Sequence, residues 1–155
     1  PAFDGSIDAA DLTGTLPAID GSALTGLGMT LLGTIATTSG SSVTLSGLDL
    51  TGYKFLQLSI SAVSSTSTND WLNLNGYSAA VVTAGGAGTI TYGGGFINLS
   101  TNAFYVNSVT LNGTAIASQS TRGGPSGLTT ASTSITFTIS AGTFDAGSIT
   151  IYGVA

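Results

Sequence analysis

From Met29 to the C-terminus, apolar residues recur at every second position in short runs, and each run ends in turn-forming text. Successive side chains of a β-strand point to opposite faces, so this period marks strands with one face buried. Leu56, Leu58, Ile60 and Ala62 form one such set, Val109 and Leu111 another. Ile135, Phe137 and Ile139 form a third, and Ile149 and Ile151 a fourth. The pattern predicts strands at Thr30–Thr37, Ser42–Ser46, Tyr53–Val63, Trp71–Asn75, Thr89–Tyr92, Gly95–Leu99, Phe104–Leu111, Ser134–Ser140 and Ser148–Tyr152. Between them lie Ser39-Gly40-Ser41, Asn75-Gly76, Gly85-Gly86, Asn112-Gly113, Gly123-Gly124-Pro125 and Ala141-Gly142. Roughly eight to ten short strands with no helical window imply an all-β, antiparallel β-sandwich of jelly-roll-like form. The longest interval without alternation, Ala115–Ser132, is expected to be a mobile surface loop.

Residues 1–28 follow a different rule. They hold four of the seven aspartates, Asp4, Asp8, Asp11 and Asp20, and repeat themselves loosely. Asp4-Gly5-Ser6-Ile7 returns as Asp20-Gly21-Ser22-Ala23, and Leu12-Thr13-Gly14 returns as Leu24-Thr25-Gly26. Gly14, Pro17, Gly21, Gly26 and Gly28 are too dense for a helix, and two copies are too few for a solenoid. An extended N-terminal arm is expected at 1–28, followed by one β domain at 29–155. Such an arm cannot bury its own Leu12, Leu16, Ile19, Leu24 and Leu27, so it needs further copies of itself or another protein's surface. Pro1 is what remains when an initiator Met is removed before a small residue, which points to a complete gene product; a trimmed fragment can also begin this way.

Composition removes several classes of function. Only 6% of the 155 residues are charged, against about 25% in ordinary globular domains. Two cations, Lys54 and Arg122, on a chain of net charge −5 cannot neutralise a phosphate backbone or an anionic membrane surface. Nucleic acid and membrane are therefore not expected partners, and no apolar run reaches the length of a membrane-spanning helix. His and Cys are absent, so no disulfide forms and transition metals lack their usual ligands. No cofactor and no metal is expected. The 23 glycines accompany 42% hydrophobic residues, a balance that argues for a packed core rather than disorder.

Candidate chemistry is sparse. The β domain offers Asp49, Asp70 and Asp145 as carboxylates. Asp49 and Asp145 stand in turn-like text, where an aspartate bonds to the backbone. A Ser–Lys dyad through Lys54 is outweighed by an exposed, solvated lysine. Gly93-Gly94-Gly95 is followed by no GK[ST] text and opens no helix, so it is not a phosphate loop. Asp70 beside Asn69 lacks the carboxylate density of a dedicated calcium loop. The sequons at Asn98 and Asn112 matter only in a secreted eukaryotic protein. No enzyme is expected. Carbohydrate contact is the remaining ligand reading: Trp71, Tyr77, Tyr92, Tyr105 and Phe104 lie near Asn-rich text, where rings stack on sugars and amides bond hydroxyls. The competing reading packs these rings inside the sandwich or a subunit interface.

The stretch Leu12 to Leu27, LTGTLPAIDGSALTGL, resembles text common in fibre and virion accessory proteins of tailed bacteriophages, where it precedes a C-terminal β domain. The ending Phe144–Gly153 more loosely resembles the closing strand of phage jelly-roll heads. The arm match covers about a tenth of the chain. The resemblance implies a homotrimer at the virion surface and no catalytic residues. On that expectation the chain is a capsid decoration (cement) or short head-fibre protein. Its arm, through Leu12, Leu16, Pro17, Ile19, Leu24 and Leu27, would hold the major capsid protein or another virion protein. The alternative is a receptor-binding tail fibre or tail-tip knob recognising host surface carbohydrate.

Overall fold

The computed structural model describes residues 28–67, 69–84 and 89–155; for Asn69 and 78–84 it describes the backbone alone. The arm residues Leu12, Leu16, Pro17, Ile19, Leu24 and Leu27 lie outside the described residues, as does Gly85-Gly86.

Ten strands and no helix occur among the described residues: β1 (Met29–Ala36), β2 (Ser42–Ser46), β3 (Phe55–Ser65), β4 (Asn69–Leu74), β5 (Tyr77–Ala84), β6 (Thr89–Asn98), β7 (Ala103–Asn112), β8 (Ala115–Pro125), β9 (Ser134–Ile139) and β10 (Phe144–Val154). They form a six-stranded sheet ordered β1-β10-β3-β6-β7-β8 and a four-stranded sheet ordered β2-β9-β4-β5. Every neighbouring pair is antiparallel.

The alternating residues become the filling of a sandwich. Leu56, Leu58, Ile60, Ile97, Phe104, Val106, Ile149 and Ile151 enter one core from the six-stranded sheet. Leu72, Leu74, Ile135, Phe137 and Ile139 enter it from the four-stranded sheet. Burying each of these large side chains contributes about 1.5–3 kcal/mol. No buried side-chain N or O among the described residues lacks a hydrogen-bond partner.

Of the expected turns, Asn75-Gly76 forms as such, whereas Gly123-Gly124-Pro125 continues strand β8 through its pairing with β7. Asn75 and Gly76 have φ of 46° and 89°, the two positive values of the tight turn whose twist matches its flanking strands, here joining β4 to β5. Asn98 Oδ1 accepts bonds from the Ser100 N–H at 2.9 Å and the Thr101 N–H at 3.1 Å, organising the turn between β6 and β7.

Five further expectations require correction. Ala115–Ser132 is not a loop throughout, because its first eleven residues are β8, paired with β7 from Asn112↔Ala115 to Ala103↔Pro125. An edge strand of Ser, Thr and Gly has no apolar alternation to betray it; backbone bonds to β7 hold it. The strand β5 was not expected at all. The runs Thr89–Tyr92 and Gly95–Leu99 are one strand, β6, continuing through Gly93–Gly95. Asp145 lies in β10 rather than in a turn, at an irregularity between Phe144 and Ser148, and its carboxylate accepts a bond from Ser64 Oγ. Within β3 the alternation also slips: Ala62 has φ 52°, and Val63, fully buried, takes the core position.

Candidate functional site

The outer face of the six-stranded sheet carries most of the surface chemistry. Residues paired across antiparallel strands share a face, so the register defines it row by row. One row runs Leu31, Tyr152, Gln57, Phe96, Tyr105, about 19 Å over five strands. The row beside it runs Met29, Val154, Phe55. Met29, Leu31, Phe55, Phe96 and Tyr105 are all exposed. Phe55, Phe96 and Val154 border an apolar depression of about 390 Å³. The next row is polar: Thr34, Thr150, Ser59, Gly94, Asn107, Thr121. Beyond it Tyr92, Val109 and Gln119 stand side by side.

A second depression, about 450 Å³, opens at that end and is lined by Tyr92, Gly93, Gly94, Asn107, Ser108, Val109 and Gln119. The glycines allow β6 to lie close against its neighbours. A Cβ on Gly93 would meet the Asn107 carbonyl oxygen at 2.5 Å, and one on Gly95 would meet that of Tyr105 at 2.1 Å. Gly94 leaves the outer face without a side chain between Tyr92 and Phe96. Asn107 Oδ1 accepts a bond from Thr121 Oγ1 at 3.3 Å, leaving its NH₂ as the donor group.

The proposed carbohydrate residues therefore separate. Tyr92 and Tyr105, 39% and 54% exposed, share the outer face of the six-stranded sheet, four residues apart along the β6 register. Trp71 and Tyr77 belong to the four-stranded sheet. Tyr77 is exposed and follows the Asn75-Gly76 turn. Trp71 is half-buried, and the Arg122 guanidinium sits 4.3 Å from its ring centroid, which covers ring surface that a sugar would use. Phe104 is buried in the core, so for this ring the packing reading is correct.

The carboxylates are engaged in structure. Asp49 Oδ1 accepts bonds from the Thr51 hydroxyl at 2.7 Å and the Thr51 N–H at 3.1 Å. These two donors, the hydroxyl foremost, hold the carboxyl below its ordinary value of 3.8. Buried Asp70 accepts bonds from Ser65 Oγ and, at 3.3 Å, from Ser140 Oγ. No group of three or more His, Cys, Asp or Glu able to hold a metal exists among the described residues. Sequence reasoning missed Phe55, Phe96, Asn107 and Gln119 as surface-site residues. The alternation around Phe55, Phe96 and Asn107 was visible, but which face looks outward depends on the partner sheet; Gln119 lies in β8, which carries no alternation.

Fold and surface together define an antiparallel β-sandwich whose larger sheet displays a broad, uncharged outer face. No family model, no curated protein and no solved structure matches the chain.

Proposed function

We propose that the chain is a trimeric structural protein of a bacteriophage virion, a capsid decoration (cement) or short head-fibre protein anchored by residues 1–28. The observation that carries assembly is the apolar end of the outer face: Met29, Leu31, Phe55, Phe96 and Tyr105, exposed together with no charge among them. Soluble monomers rarely leave such a patch open, and a second copy of the same uncharged surface is its natural cover. The patch begins at β1, where the arm joins the sandwich, so one assembly can gather three arms at one place. The strand orders support the jelly-roll reading: β1-β10-β3-β6 and β2-β9-β4-β5 match the two sheets such a fold would have, with β7 and β8 added as a hairpin. The resemblance of Leu12–Leu27 to phage virion text supplies the trimer and the virion surface.

Anchoring is multivalent on this reading. Each arm buries Leu12, Leu16, Ile19, Leu24 and Leu27 against the major capsid protein or another virion protein, and trimerisation raises the effective concentration of the remaining arms. A second reading, a receptor-binding tail fibre or tip knob for host surface carbohydrate, is favoured by the exposed Tyr92 and Tyr105. Cryo-electron microscopy of purified virions, with an antibody against residues 30–155, separates the two. Density at many symmetric capsid sites is expected; density at the tail alone would select the receptor-binding role. Deleting residues 1–28 is expected to leave a folded β domain that no longer binds particles, and retained binding would remove the arm as anchor.

A further inference from the structure

The two depressions on the outer face differ in chemistry. The one at Phe55, Phe96 and Val154 is wholly apolar. The one at Tyr92 combines an exposed ring, the amides of Asn107 and Gln119, and a floor at Gly94 that carries no side chain. A strand glycine facing outward lets a ligand approach the sheet backbone closely. The volume, about 450 Å³, lies within the range of roughly 300–1,000 Å³ typical of small-ligand clefts.

We propose that this depression is a binding subsite for a neutral carbohydrate. A pyranose has an apolar C–H face and a rim of hydroxyls that both donate and accept. The Tyr92 ring and the Val109 side chain suit the first, and the Gln119 amide, which donates and accepts, with the Asn107 NH₂, which donates, suits the second. The row spacing fits: Tyr92, Val109 and Gln119 form one cross-strand line, and Gly94 and Asn107 form the next line of this face, about 7 Å further along the strands.

Other ligand classes fit less well. None of the lining residues is charged, so a phosphate or an acidic sugar finds no cation. Arg122 is paired with Val106, a core residue, and its guanidinium lies over Trp71, away from this line. A peptide adding as a strand would pair along the open edge of β8, whereas the depression's floor lies on β6 and β7, which are paired on both sides. The subsite is separate from the apolar end proposed to join copies, and stands whether or not that contact forms.

The test is the full chain applied to an array of neutral and acidic oligosaccharides. The strongest neutral ligand is then titrated in solution, as a monovalent sugar, against Tyr92→Ala, Gln119→Ala and Tyr92→Phe. Neutral sugars are expected to bind. Tyr92→Ala and Gln119→Ala should each weaken binding tenfold or more, while Tyr92→Phe, which keeps the ring, stays within a few-fold. Gln119 is exposed on an edge strand, so its variant folds even where Tyr92→Ala loses stability; circular dichroism checks both. An array with no neutral ligand, binding confined to acidic sugars, or unchanged affinity in Gln119→Ala and Tyr92→Ala would each overturn the subsite. A changed oligomeric state in Gln119→Ala would also overturn it, by making this end a contact between copies.

Discussion

Replacing Phe55 and Phe96 by Thr probes the apolar end of the outer face without introducing charge. Threonine suits a strand, so the backbone is retained. Phe96 is 53% exposed and Phe55 is 38% exposed in the single chain. Full burial of a Phe side chain is worth about 1.5–3 kcal/mol, so covering the exposed remainder contributes about 1 kcal/mol per ring. Two rings in each of three copies contribute roughly 6 kcal/mol to a trimer, about four powers of ten in the monomer–trimer constant. Sedimentation equilibrium over a wide concentration range reads this directly. The native chain is expected to populate trimers where the double variant is monomeric. Part of each ring is already buried within its own chain, so the variant also loses about 1 kcal/mol per ring in monomer stability, and circular dichroism must show that it remains folded. A folded double variant with the native sedimentation profile would refute the assignment of this patch to self-association.

Three further outcomes follow from the sandwich itself. Gly147→Ala should destabilise by about 2 kcal/mol or more, because φ there is +96° and the new Cβ would sit 2.5 Å from the backbone of Ala62 and Val63. Gly52→Ala, in open space, should be neutral or slightly stabilising, and equal melting temperatures for the two variants would contradict this. Phe137→Ala, at a fully buried position, should cost about 3–5 kcal/mol in urea unfolding, and a cost below about 1 kcal/mol would mean that the two sheets do not close on this ring. The Asp49 carboxyl should titrate by NMR below 3.8 and move upward in Thr51→Val. Because the folded value is the lower one, its stabilisation is present above the unfolded value and is lost as pH falls through the folded one; an unmoved titration in Thr51→Val would contradict the assigned cause.

Strands with one buried face were legible because alternation records burial directly. Ile135, Phe137 and Ile139, and Ile149 and Ile151, enter the core as their spacing implied. Val109 and Leu111 show the limit of that signal. They alternate as cleanly, yet both are half-buried, on the opposite side of β7 from the core residues Phe104 and Val106. Period two identifies a face and does not say which face meets the second sheet. The strand β8 was illegible for a related reason: Ser118, Gln119, Ser120 and Thr121 carry no apolar contrast, and their place is set by pairing with β7.

By itself the sequence determined an all-β chain, where most of its strands lie, its turn at Asn75-Gly76 and its near absence of charge, because these depend on local periodicity, backbone preference and composition. The tertiary structure alone decided that Phe55, Phe96, Tyr92, Asn107 and Gln119, separated by up to 64 positions, share one outer face. It also placed Trp71 under Arg122 and Phe104 in the core. Strand order and register set those neighbours, and both arise from the joint packing of two sheets, which no local window contains.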